Sequence, residues 1–143
     1  MIAIASDHAG FRQKEYLVAK LLEEGYQLRD LGCSSIDSVD YPDFAAKVAR
    51  EIQQGAAGVG VLICGSGEGM VMAANRFPGV RAGLAWNTEI AALLRQHNNA
   101  QIICFGARFT ADAYAWLMLK TFLNSQFEGG NHAVRLEKMN QIG

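Results

Sequence analysis

The chain carries almost no net charge. Its 143 residues hold 13 basic and 14 acidic side chains, a formal balance of -1. No net field therefore argues for nucleic acid or an acidic membrane as partner, and a small ligand or another protein chain is the better expectation. Cysteine is scarce and unpatterned. Cys33, Cys64 and Cys104 form an odd set without CxxC spacing, which speaks against a disulfide framework or a zinc ribbon and fits a reducing cytoplasm. A basic n-region is missing too: MIAIASDHAG meets an acid and a glycine at once, so it reads as a first strand, not a signal peptide or a membrane span. With no repeat, low-complexity tract or linker, residues 1–143 are expected to form one domain around one core.

What is present is an alternation of short apolar runs with longer amphipathic ones, the pattern of a parallel sheet covered by helices. The class is α/β. Strands are expected at 2–6, 26–32, 58–64, 80–86 and 100–106. Between them, FRQKEYLVAKLLEEG places Leu17, Val18 and Leu21 on one stripe and ends at Gly25 as a C-cap. Further helices are expected at 43–54 after Pro42, at 68–76 before Pro78, at 88–97 with Asn87 as N-cap, and at 110–124 with Thr110 in that role. The tail GGNHAVRLEKMNQIG reads as a last helix with too few apolar residues for its own burial, docking on a neighbour. The longest irregular segment, CSSIDSVDYPD at 33–43, has the length of a functional loop.

In an open parallel sheet ligands gather beyond the carboxyl ends of the strands. Asp7 and His8 follow the first strand there, CGSGEGM follows the third and Arg108 the fifth. The glycine loop offers backbone N–H groups for an anion. It is neither GxGxxG nor a Walker loop, since GK[ST] is lacking. Cys64 is not the nucleophile of a cysteine phosphatase, because the arginine needed six places on is Met70. A zinc site would have to gather Cys64, His8 and His97 from separate elements. There remain a thiol activated by the adjacent amides, serving as base or nucleophile, and an inert core thiol. Cys33 and Cys104 read as filler. His97 suits a helix C-terminus. Asp7 either orients and charges His8 or caps the next helix. Arg108 and Arg135 are candidate phosphate ligands or solvated surface charges.

SDHAGF, DYPDFA, CGSGEGM with AANR, RQHNNA, FGAR and EGGNHAVR, in this order along nearly the whole chain, closely resemble the ribose-5-phosphate isomerase B family. Its relatives act on galactose 6-phosphate or allose 6-phosphate. The resemblance implies a Rossmann-like three-layer sandwich with a five-stranded parallel sheet, and a homodimer or homotetramer whose active sites are shared between chains through the docked C-terminal helix. It implies interconversion of an aldose phosphate and its ketose through a cis-enediolate, without metal or cofactor. By the same resemblance Cys64 is the general base between C2 and C1, and Ser66 assists proton movement between O1 and O2. The amides of Gly65, Gly67, Glu68 and Gly69 hold the enediolate. His97 from the partner chain opens the furanose ring, with Asn98 beside it on the sugar hydroxyls. Asp7 and His8 hold the sugar and its phosphate end, Tyr41 lines the pocket, and Arg108 and Arg135 bind phosphate. Asn131 stands where many members carry an arginine directly after EGG, and His132 or Arg135 is expected to compensate. A hexose 6-phosphate isomerase and a non-catalytic sugar-phosphate-binding module are the alternatives.

Overall fold

The computed structural model describes residues 1–143. Five strands, β1 (Ile2–Ser6), β2 (Leu28–Asp30), β3 (Val59–Cys64), β4 (Ala82–Leu84) and β5 (Ile102–Gly106), alternate with α1 (Phe11–Glu23), α2 (Tyr41–Gln53), α3 (Glu68–Ala74), α4 (Thr88–Gln96) and α5 (Asp112–Leu123), and α6 (Asn131–Asn140) follows. The strands form one parallel sheet in the order β2-β1-β3-β5-β4. Every residue of β1 and β5 is buried, which is why these stretches read as continuous apolar runs. Side chains alternate faces along each strand. On β3, Val61 and Ile63 join Leu17 and Leu21 of α1, Ala91 of α4 and Met118 and Phe122 of α5. Leu62 and Cys64 join Val48 of α2, Met70 and Ala74 of α3, and Cys104. The result is the expected three-layer sandwich, with Cys64 on the face covered by α2 and α3.

The edges differ from expectation. β2 and β4 are three residues long, not seven, because each pairs on one side only and leaves the ladder while β1 and β5 run two residues further. α2 begins at Tyr41 with Asp40 as N-cap, two residues earlier than expected, since Pro42 occupies the first turn where its missing N–H costs nothing. α5 begins at Asp112 with Ala111 at the cap. Thr110 is not the cap, and its carbonyl accepts instead from Gln13 Nε2 on α1. Asn87 does cap α4, its Oδ1 accepting from the Ile90 amide at 2.7 Å. Gly25 follows the end of α1 with φ +83°, the left-handed turn that favours glycine at this point. No helix is long and apolar enough to cross a membrane.

Candidate active site

The chain leaves β1 for β2 on one side and returns to β3 on the other, so the switch in direction falls between β1 and β3, where a crevice opens beyond the strand ends. Asp7, His8 and Ala9 enter it from β1, Cys64, Gly65, Ser66 and Gly69 from β3, Arg108 and Phe109 from β5, and Tyr41 from the start of α2. They enclose a cavity of about 560 Å³. Cys64 is buried, and its Sγ accepts the Gly67 amide at 3.1 Å. Ser66 Oγ accepts the Glu68 amide at 3.2 Å. Gly67 and Glu68 therefore turn their amides onto the loop itself and do not line the cavity, while the amides of Gly65, Ser66 and Gly69 have no protein partner. A Cβ on Gly69 would stand 2.5 Å from the Tyr41 ring, so the phenol reaches the loop only because glycine is there.

Asp7 and His8 do not pair as a charging couple. Asp7 Oδ1 accepts the Gly10 amide at 3.1 Å, at the entry to α1. His8 is oriented from elsewhere, its Nδ1 accepting the Val39 amide at 3.2 Å. An imidazole that accepts at Nδ1 is neutral and carries its proton on Nε2. The long loop after β2 thus acts on the site through a backbone amide, whereas its side chains drew attention in the sequence only through Tyr41. Arg108 makes no ion pair, and its guanidinium lies 3.1 Å from where a Gly65 Cβ would stand, free to meet an anion over the loop. Cys104 is wholly buried, and burial pushes its thiol far above the ordinary range, which fits the inert role expected of it. Cys33 is buried as well, its Sγ donating to the Ser35 carbonyl at 3.3 Å.

His97, Asn98, His132 and Arg135 do not reach this cavity. His97 caps the C-terminus of α4 and precedes β5, whereas Cys64 lies level with Gly106 at the far end of that strand. The two are separated by at least the length of β5, about 13 Å at 3.3 Å per residue. The second group has its own order: the His97 and His132 rings stack with centroids 4.1 Å apart and planes 14° from parallel. Arg135 lies one turn beyond His132 on α6. Sequence reasoning missed three residues that these groups contain, Ala9, Phe109 and Glu128. Ala9 and Phe109 adjoin residues already singled out, and Glu128 stands directly before the double glycine of the tail.

Residues 2–139 match the family model described as Ribose/Galactose Isomerase. The chain belongs to the ribose/galactose isomerase family. The ribose-5-phosphate isomerase B of Escherichia coli is 39% identical to it, with 99% of this chain and 95% of that protein covered. Among solved structures, a ribose 5-phosphate isomerase of Thermotoga maritima superposes with a TM-score of 0.97 at 44% identity, covering 99% of this chain and 97% of that one. The ribose-5-phosphate isomerase B of Mycoplasma genitalium, with bound ribulose-5-phosphate, gives a TM-score of 0.94 at 40% identity, covering 98% and 93%. This family member is accordingly an isomerase of the same α/β fold.

Proposed function

We propose that the chain interconverts ribose 5-phosphate and ribulose 5-phosphate through a cis-enediolate, with no metal ion taking part. The observation that carries this reading is Cys64 Sγ buried in the crevice beside three backbone amides that have no partner. A thiolate in that position takes the proton from C2 of the aldose and returns it to C1, one group accepting and donating in turn. Negative charge then builds on O1 and O2, where the amides of Gly65, Ser66 and Gly69 meet it in a preorganised array. Ser66 Oγ moves the proton between these oxygens. Asp7, His8 as an Nε2–H donor, and Tyr41 hold the sugar, and Arg108 meets the phosphate.

The ring-opening group is His97 of a second copy. The separation along β5 keeps it from the Cys64 cavity of its own chain, and the tail, with α6 carrying His132 and Arg135, leaves Val134 and Met139 of α6 and Ile142 beyond it exposed as an unspent apolar surface. A homodimer, alone or paired into a tetramer, would place the His97, Asn98, His132 and Arg135 of one chain over the cysteine crevice of the other. The three unpaired cysteines fit a reducing compartment such as the cytoplasm. A hexose 6-phosphate remains the second reading, since the matching family takes in galactose as well as ribose and Asn131 opens α6 where an arginine is expected.

The test is turnover of the purified protein on ribose 5-phosphate beside allose and galactose 6-phosphates, together with exchange of the transferred proton with deuterated solvent. Ribose 5-phosphate is expected to give the highest kcat/KM, and Cys64→Ala to lower both turnover and exchange by at least about 100-fold while the sugar phosphate still binds. Conversion of none of these sugars, or binding without exchange, would leave only a binding module. Full exchange by Cys64→Ala would remove the cysteine from the mechanism.

A further inference from the structure

The geometry points to Glu128 as the positioning residue that aims His97, an inference that rests on the isomerase reading above. Glu128 lies in the short connection between α5 and α6. Its backbone N–H donates to the carbonyl of Gln96 at 3.0 Å, the last residue of α4 and the one before His97. Its carboxylate Oε1 is 3.5 Å from His97 Nε2 and 3.8 Å from His132 Nε2. One residue is thus tied to the main chain beside His97 and set against the ring edges of both histidines, while His132 stacks on the His97 face. The imidazole that must protonate a sugar oxygen is held on its edge by an anion and on its face by a ring.

The arrangement assigns the two ring nitrogens. A carboxylate beside Nε2 favours a proton on that nitrogen through its charge, the part an acidic group plays behind a catalytic histidine. The 3.5 Å separation is an ion-pair contact, of the kind that tightens into a hydrogen bond when substrate is bound. Nδ1 of His97 has no protein partner, so it is the atom left to deliver a proton to the ring oxygen and to take it back on ring closure. The steps balance: the imidazolium gives its Nδ1 proton to the ring oxygen as the C1–O bond of the ring breaks, the O1 hydroxyl releases its own proton to water as C1=O forms, and ring closure reverses both transfers.

A His-Glu-His set is also one that zinc accepts, and the three ligand atoms lie within 4.8 Å of one another. The stacking opposes that use. An ion must sit in the plane of each ring that binds it, and two stacked rings 14° from parallel with centroids 4.1 Å apart keep their nitrogen lone pairs in two nearly parallel planes that one ion does not share.

The experiment compares Glu128→Gln, which keeps shape and backbone and removes the charge, with Glu128→Asp. Ribose 5-phosphate must be ring-opened, whereas ribulose 5-phosphate has no free hydroxyl with which to close a five-membered ring, so exchange of its C1 proton with deuterated solvent needs Cys64 alone. Glu128→Gln is expected to lower kcat on ribose 5-phosphate at least about tenfold while C1 exchange in ribulose 5-phosphate stays within twofold of the wild type, and Glu128→Asp to recover part of the loss. Equal losses in both assays, or no loss in either, would overturn the assignment. Stoichiometric zinc binding by the wild type that Glu128→Gln abolishes would replace it with a metal site. Failure of the wild type itself to exchange the C1 proton would count against the isomerase reading, not against Glu128 in particular.

Discussion

Lys14, 1% exposed, is the most deeply buried charged side chain of the fold, and it ties α1 to the end of β2 at the base of the site. Its Nζ donates to Asp30 Oδ2 at 2.7 Å and to Glu15 Oε1 at 2.8 Å. Asp30 Oδ1 in turn accepts the Gly32 amide, where the chain enters the loop whose Val39 amide orients His8. Burial by itself lowers the ammonium, but the hydrogen bonds to Asp30 and Glu15 outweigh it and raise the group above its ordinary value. A group raised on folding stabilises the native state fully below its unfolded value, and that contribution is lost as pH climbs through the folded one. Lys14→Met, which keeps the volume, is expected to cost about 1–3 kcal/mol at neutral pH, less than a fully buried pair would because water can reach both freed carboxylates. Urea unfolding at pH 7, 9 and 11.5 should show the difference from wild type shrinking only above about pH 10.5. An unchanged difference across that range would mean that Lys14 acts through packing and not through its charge.

At the level of elements, the loop from β3 into α3 is fixed by Gly67. Its φ is +80°, and a Cβ there would stand 2.5 Å from Leu84 Cδ1 and 2.9 Å from the Phe105 carbonyl carbon. Gly55 has a similar φ of +72° with nothing within 4 Å, so it isolates the backbone cost. Gly55→Ala is expected to lose about 1 kcal/mol and Gly67→Ala about 2–4 kcal/mol, with turnover falling in Gly67→Ala alone because its amide is the one that holds Sγ. Thermal unfolding and a kcat measurement on both variants check this, and equal stability losses would show the strand β5 backbone yielding. The same elements show what the sequence made legible. β1, β3 and β5 are buried on both faces and read as plain apolar runs, so the strand ends that carry Asp7, Cys64 and Arg108 were placed correctly. The edges β2 and β4 are shorter than their composition suggests, because pairing on one side leaves no mark in local composition. Of the two readings the sequence offers for Asp7, pairing with His8 or standing at the start of the next helix, the contacts favour the second: Asp7 meets the Gly10 amide and His8 the Val39 amide. Glu128 was invisible because its partners, Gln96 and His97, lie on another element.

On the scale of the whole molecule, the two groups of residues that the proposed mechanism joins lie at opposite ends of β5. On the proposed mechanism, the crevice of Cys64 holds the base and the amides and takes its ring-opening acid from elsewhere. The group on α4 and α6 has His97, His132 and Arg135 but no base for carbon. Between α6 and the turn before β4 lies a further cavity of about 870 Å³, lined by Phe77, Pro78, Arg81, Leu94, Met139 and Ile142 among others. It holds no group that could move a proton from carbon, and Met139 and Ile142 of its lining are also among the exposed apolar side chains of the tail. A two-fold dimer makes such surfaces meet in pairs, each chain giving to its partner what it receives. Cys64→Ala and His97→Asn should then each be nearly inactive alone, yet recover when mixed and allowed to exchange subunits. Random reassortment of equal amounts makes about half of the dimers mixed, and each mixed dimer has one site with both groups intact and one with neither, so about a quarter of wild-type turnover should return. Native mass spectrometry would establish that exchange has taken place. Mixed dimers without recovered activity would mean that Cys64 and His97 of the same chain serve one site, and the separation along β5 would then have to be closed by a rearrangement within the subunit.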